Sequence, residues 1–273
     1  MKRQRTNREG SPPPAPERLR VAAIDSHCHL DLMDVAVGVA VEQAKAVGID
    51  RMVTVGIDVG TSQWQVDVAQ EHDDVFAAVA VHPNEVHAAD SDAWAAIAKL
   101  AAHPKVVAVG ETGLDHFRTG EDGWRAQEES FRRHIAIAKD TGKALVIHDR
   151  DAHDDVLRVL AEEGAPERVV FHCFSGDADF AGRCADAGYV MSFAGNVTFG
   201  NAQPLRDAVK VAPLELTLVE TDAPFLTPMP YRGRPNAPYL VPLTVRAIAA
   251  VRGVDEETVA AAVTDTAART FRW

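Results

Sequence analysis

Six side chains in this sequence have the types and spacing of a metal-assisted hydrolytic site. His27 and His29 flank Cys28, Glu111 follows an apolar run at 105–110, His148 and His172 each end another run, and Asp222 follows the run at 215–220. Imidazole and carboxylate are the ligand types of zinc, manganese and iron, and less comfortably of magnesium. Four histidines and two carboxylates exceed the three protein ligands usual for one catalytic zinc. They match two divalent ions that share a bridging carboxylate. Such ions, about 3.5–4 Å apart, activate water and stabilise a leaving oxygen. Alternation along an extended segment puts His27 and His29 on one side together with Asp25, and Cys28 on the other. Cys28 therefore reads as a packing residue. The same alternation pairs Glu220 with Asp222 and opposes Thr221, so Glu220 is expected to orient a ligand. Taken singly, each of these residues has a plainer reading, as a hydrogen-bonded histidine or a loop carboxylate. Their joint placement carries the metal reading.

That placement depends on the elements that carry them. Short apolar runs occur at 21–25, 51–57, 75–81, 105–110, 144–148, 168–172, 189–193 and 215–220, several nearly continuous, as in parallel strands covered on both faces. Segments such as 35–48, 92–103, 123–141 and 177–188 lie between them and show helical spacing, with Phe131, Ile135 and Ala138 sharing one helix face. Eight strands alternating with helices predict an α/β fold, a single-domain (β/α)8 TIM barrel over 21–273. A doubly wound open sheet is the alternative; neither a GxGxxG nor a P-loop follows the first strand. In a barrel all six side chains reach the C-terminal mouth, where active sites are built. Glu111 is the natural bridge, because strand four lies between strand one and strands five and six.

Length and composition are compatible with this. The chain has 273 residues, enough for a barrel that typically needs about 250 residues. Hydrophobic residues make up 47% and charged residues 25%, and the formal net charge is −12. That charge excludes a protein that coats nucleic acid through a broad basic face, but not an enzyme whose metal ions reverse the local sign. The cysteines Cys28, Cys173 and Cys184 show no CxxC spacing, which fits a reducing, cytoplasmic setting. No apolar run is long enough for a membrane span. Residues 1–20 are basic and proline-rich without the apolar core of a secretory signal, and are expected to form a disordered extension. No obligate protein partner is indicated.

Asp-Ser-His-Cys-His-Leu-Asp (25–31), Gly-Glu-Thr-Gly-Leu-Asp (110–115), His-Asp-Arg (148–150), His-Cys-Phe-Ser-Gly (172–176), Glu-Thr-Asp-Ala-Pro-Phe-Leu-Thr-Pro (220–228) and Arg-Gly-Arg-Pro-Asn (232–236) together resemble the signature blocks of the TatD family, metal-dependent deoxyribonucleases among the amidohydrolase-like barrels. The resemblance spans 21–273. It implies one ion at His27, His29, Glu111 and Asp222, and a second at Glu111, His148 and His172. It also implies 3′-to-5′ exonuclease action on single-stranded DNA. Thr112 stands where the family usually has an aliphatic residue, His116 and Phe117 occupy a stretch that is often tyrosine-rich, and Asp149 replaces a smaller residue. These departures bear on substrate fit more than on metals.

Phosphodiester hydrolysis then gives roles to the remaining candidates. Asp222 is expected to be general base as well as ligand, the plainer reading being a ligand alone. Arg232 and Arg234 are expected to grip phosphates and Asn236 to hydrogen-bond them, the plainer reading being a proline-stiffened loop. Asp115 and His82 are expected at the mouth as substrate contacts, with a helix cap or an orienting partner of a ligand equally open for Asp115 and a structural role for His82. The rival within enzymes is a small-molecule amidohydrolase acting on a cyclic amide, ester or lactone. Barrels of that kind often bridge two metals with a carboxylated lysine, whereas strand four here supplies Glu111 and carries Lys105 at its opposite end.

Overall fold

Buried apolar strands and capped helices alternate along the chain, and the computed structural model describes residues 10–273. The strands are β1 (Ala23–Cys28), β2 (Ile49–Val55), β3 (Val75–Val79), β4 (Val106–Asp115), β5 (Ala144–Arg150), β6 (Val169–Phe171), β7 (Val190–Phe193) and β8 (Thr217–Val219). Each pairs in parallel with the next, in the order β1 to β8. The helices are α1 (Val37–Ala46), α2 (Val59–Glu71), α3 (Ser91–Ala101), α4 (Glu121–Thr141), α5 (His153–Glu163), α6 (Ala178–Asp186), α7 (Gln203–Val211), α8 (Val241–Arg252) and α9 (Glu256–Phe271). This is the expected (β/α)8 barrel.

The closing seam lies just beyond β8. The Asp222 N–H donates to the His27 carbonyl at 2.9 Å, and the His29 N–H donates to the Ala223 carbonyl at 2.8 Å. The seam therefore joins two of the candidate ligand segments directly.

Two observations explain why these residues form these elements. Every residue of β1, β3 is buried or nearly so, and β4, β6, β7 and β8 are buried throughout, as parallel strands under helices must be. Asp58, Asp90, Asp177 and Asp255 each cap a helix by accepting a backbone N–H of its first turn.

Alternation sorts the strands. Ile24, Val53, Val107, Val146, Val170, Val190 and Leu218 share a cluster inside the barrel, joined by Ala267 and Phe271 of α9. Leu145, Ile147, Val169 and Phe171 instead pack in the cluster formed with the helices, as do Phe131, Ile135 and Ala138 of α4. In β5 and β6 the interior parity, Val146 and Val170, continues to His148 and His172.

Several boundaries differ from expectation. The first strand runs on through His27 and Cys28, and β4 runs on through Glu111 to Asp115, so both candidates lie within strands. The run at 215–220 opens as a 3-10 turn, and β8 itself is short. The expected disorder of 1–20 is corrected for residues 10–20. Leu19 is buried, the Arg234 guanidinium donates to the Ser11 and Pro12 carbonyls, and the Tyr239 hydroxyl donates to the Pro13 carbonyl at 2.7 Å. Backbone carbonyls of Ser11, Pro12, Pro13 and Glu17, the Leu19 N–H donated to the Val47 carbonyl, and the buried Leu19 side chain hold a segment that composition marks as loose. Residues 1–9 lie outside the described residues.

Candidate metal centre

Glu111 is the hub of the barrel mouth. Its Oε1 lies 2.6 Å from His148 Nδ1, 2.9 Å from His172 Nε2 and 3.3 Å from His82 Nε2. Its Oε2 faces the other way, 3.6 Å from His27 Nε2 and 3.9 Å from His29 Nε2. His29 Nε2 is also 3.5 Å from Asp222 Oδ1. All six predicted ligands are thus brought together, and the two oxygens of one carboxylate divide them into two sets.

The alternation argument holds only in part. The pairing of β1 with β2 shifts register between Asp25 and Cys28. His27 and His29 do face the mouth together. Asp25 turns to the seam, where it accepts the Thr221 N–H at 2.9 Å and the Thr221 hydroxyl at 2.5 Å. Cys28 is buried against the Val53 carbonyl, as a packing residue should be. Asp222 has φ 52, a left-handed conformation that costs energy outside glycine and that the seam hydrogen bond holds in place.

Most of the histidines have their far nitrogen fixed by a second group. His172 Nδ1 is 3.2 Å from Glu220 Oε1, which also accepts the Cys173 N–H at 2.9 Å. His148 Nε2 is 3.1 Å from Asp115 Oδ2. His29 Nδ1 donates to the Val55 carbonyl at 3.1 Å. Such partners set tautomer and ring orientation in metal sites. Glu220, the residue just past β8, therefore stands behind the His172 ring. Gly113 makes room for the His148 support: its φ is +132, and a Cβ there would collide with the His148 carbonyl oxygen.

The electrostatics follow from this packing. Burial works to push the Glu111 carboxyl up, but His172, His82 and the His148 hydrogen bond hold it well below the usual carboxylate range. Burial works to lower His172, yet Glu111 and Glu220 raise it well above the ordinary value. Burial and the neighbouring His172 charge lower His27. His27 stacks on His172 with ring centroids 3.9 Å apart.

The donor set fits divalent cations. Three groups place one ligand atom from each member within 4.8 Å of the others: His27 with Glu111 and His172, His27 with His29 and Asp222, and His82 with Glu111 and His148. Both ring nitrogens of His27 are buried without a hydrogen-bond partner. A wholly buried imidazole left unpaired is costly unless another partner completes it.

The other predicted contacts divide. His82 reaches Glu111 directly. Asp115 is a correction: it is buried, and besides His148 it accepts the Asn84 amide at 2.9 Å and the N–H groups of Phe117 and Arg118. It is a support for His148 and a turn cap, with no acceptor left facing outward. Asn236 is a second correction. Its amide donates to the Thr221 and Phe225 carbonyls and accepts the Ala237 N–H at 2.9 Å, so it clamps the loop after β8. Arg234 is a third, because its guanidinium holds Ser11 and Pro12. Arg232 remains exposed, its guanidinium carbon 4.2 Å from the centre of the Phe199 ring. Sequence reasoning missed Asn84, which donates its N–H to His82 Nδ1 at 3.0 Å and its side-chain amide to Asp115. The His82-Pro-Asn84 turn was the available signal.

Comparison with known proteins agrees with this fold. The family model described as TatD related DNase matches residues 24–272. An uncharacterized metal-dependent hydrolase, TatD, of Mycobacterium tuberculosis is 46% identical over 256 residues, covering 91% of this chain and 97% of that protein. The uncharacterized metal-dependent hydrolase YabD of Bacillus subtilis is 39% identical over 254 residues, covering 91% and 98%. The crystal structure of YJJV, a TatD homolog from Escherichia coli K12, superposes with a TM-score of 0.86 at 26% identity, covering 92% of this chain and 98% of that one. With its barrel, its divided histidine set and these relatives, the chain belongs to the family of TatD-related DNases.

Proposed function

We propose that this metal-dependent hydrolase cleaves phosphodiesters, removing nucleotides from the 3′ end of single-stranded DNA. The observation that carries the reading is the divided Glu111 carboxylate, with His148 and His172 at one oxygen and His27 and His29 at the other. In this reading His27, His29, Glu111 and Asp222 hold one divalent ion, and Glu111, His148 and His172 hold the other. Zinc, manganese and iron suit the donors, and magnesium does so less comfortably. Such ions supply Lewis acidity, lowering the pKa of water and neutralising charge on phosphoryl oxygens.

The chain's own groups do the rest. Asp222, with its side chain 15% exposed at the mouth, is placed to accept a proton from the attacking water. Glu220 and Asp115 keep His172 and His148 aimed at Glu111. Arg232 stands on the loop after β8 to meet a phosphate. Against the amidohydrolase alternative stands the location of Lys105. Its amine donates to the Asp73 carbonyl at 2.9 Å, just before β3 begins and far from Glu111 along β4. A cytoplasmic setting fits three free thiols, Cys28, Cys173 and Cys184. Among the described residues no helix is long and apolar enough to cross a membrane.

The test is metal analysis of the purified protein, coupled to an assay on end-labelled single-stranded DNA with manganese, magnesium or zinc. Chelator-sensitive mononucleotide release from the 3′ end is expected. Release of product only from a panel of cyclic amides or lactones would assign the small-molecule reading instead.

A further inference from the structure

Phe117 is 63% exposed, more than any other large apolar side chain among the described residues. It sits two residues beyond the end of β4, on the rim of the mouth. Its placement is firm. The N–H groups of Phe117 and Arg118 donate to Asp115 Oδ1 at 3.1 and 2.8 Å, while Oδ2 of the same carboxylate faces His148. One buried carboxylate therefore ties the turn carrying Phe117 to a histidine of the centre. β4 and β5 are in register at Asp115 and Arg150, and the His116 N–H donates to the Arg150 carbonyl at 2.9 Å. From there the Arg150 guanidinium carbon lies 3.9 Å from the centre of the Phe117 ring. A cation thus backs the ring, whose exposure leaves much of it in water.

We infer that Phe117, backed by Arg150, is a stacking platform for the base of a nucleotide next to the cleaved phosphate. The inference rests on the phosphodiesterase reading and names the side chain that receives an unpaired base of its substrate. A flat aromatic ring beside arginines matches single-stranded nucleic acid, in which every base offers a π face and every link a phosphate. A base inside a duplex has both faces already stacked and cannot take this place without leaving its pair. One ring is too small for a protein partner, whose stable docking buries about 1,000 Å² or more. The chain is acidic overall, at −12, yet Arg118 and Arg150 stand at this rim, and across the mouth Arg232 covers Phe199 in the same manner.

The test is a cycle of two changes, Phe117→Ala in the protein and an abasic site at the 3′-terminal nucleotide of a single-stranded oligonucleotide. Each alone is expected to raise KM about tenfold, with little change in kcat, and the two together about as much as either. Phe117→Trp is expected to restore the wild-type KM. Binding is read separately with a phosphorothioate-linked oligonucleotide carrying terminal 2-aminopurine, whose fluorescence the wild type and Phe117→Trp quench and Phe117→Ala does not. Multiplying losses, or full quenching by Phe117→Ala, overturn the platform while the nuclease reading stands. A wild type that releases no nucleotide with any of the three metals removes the nuclease reading and the platform with it.

Discussion

His82 presents Nε2 to Glu111 Oε1 at 3.3 Å while its Nδ1 accepts the backbone N–H of Asn84 at 3.0 Å. A nitrogen that accepts has no proton, so in the neutral ring the proton sits on Nε2 and points into the site. Burial holds His82 below the ordinary histidine value and keeps that ring neutral. Although His82 falls in a ligand-like group with Glu111 and His148, its tautomer makes it a donor. Replacing His82 with alanine is expected to leave metal content unchanged and to lower kcat about 100-fold, the cost of one lost donor to developing charge. Loss of metal from that variant, by elemental analysis, would make His82 a ligand.

Asp222→Asn tests the proton acceptor. The side chain keeps its size and the seam hydrogen bonds are backbone ones, so the fold is expected to persist. Hydrolysis is expected to fall by at least 100-fold. A folded, metal-loaded and fully active variant would remove Asp222 from the chemistry.

Glu220 and Asp115 act through His172 and His148. Glu220→Gln and Asp115→Asn are each expected to weaken metal affinity about 10- to 100-fold. Competition with a chromophoric chelator measures this. Unchanged affinity in both would reduce these carboxylates to packing groups.

Arg232 and Arg234 are two residues apart and differ in what they hold. Arg234→Ala is expected to release residues 10–13, seen as faster proteolysis there, without changing KM for DNA. Arg232→Ala is expected to raise KM several-fold and more steeply at low salt, since it removes a cation exposed at the mouth. Equal effects on KM would contradict the division.

Buried His134 gives the fold an acid weakness away from the metal centre. Its Nε2 accepts the Val81 N–H at 3.0 Å, and its Nδ1 lies 2.9 Å from the Ser130 carbonyl and 2.8 Å from the Thr112 hydroxyl. Burial lowers its pKa to about 4, against an ordinary value of 6.5. As pH falls below 6.5 the unfolded chain takes up a proton that the folded protein refuses, so stability drops until pH 4. The loss is roughly 3 kcal/mol from this one ring. Urea unfolding at pH 7 and pH 4 should show that much less acid loss in His134→Gln than in the parent. Parallel losses would exclude His134 as the cause.

The order of elements and the identity of the ligand-type residues were legible in the sequence, because both depend on local patterns. Buried parallel strands read as continuous apolar runs. Alternation named Cys28 as packing. The same alternation misplaced Asp25, because a register shift inside β1 is a response to the neighbouring strand, which no local pattern records. Arg234 and Asn236 looked like phosphate contacts because their side chains suit that task. Only the folded chain shows that Ser11, Pro12 and the carbonyls of Thr221 and Phe225 already occupy them. Which hydrogen-bonding groups are already satisfied is a question of long-range neighbours. For the same reason the proton on His82 Nε2, fixed by Asn84, and the tie from Asp115 to both His148 and Phe117 belong to the tertiary structure. The sequence determined that His27, His29, Glu111, His148, His172 and Asp222 would meet; closure of the barrel decided which oxygen of Glu111 each histidine faces.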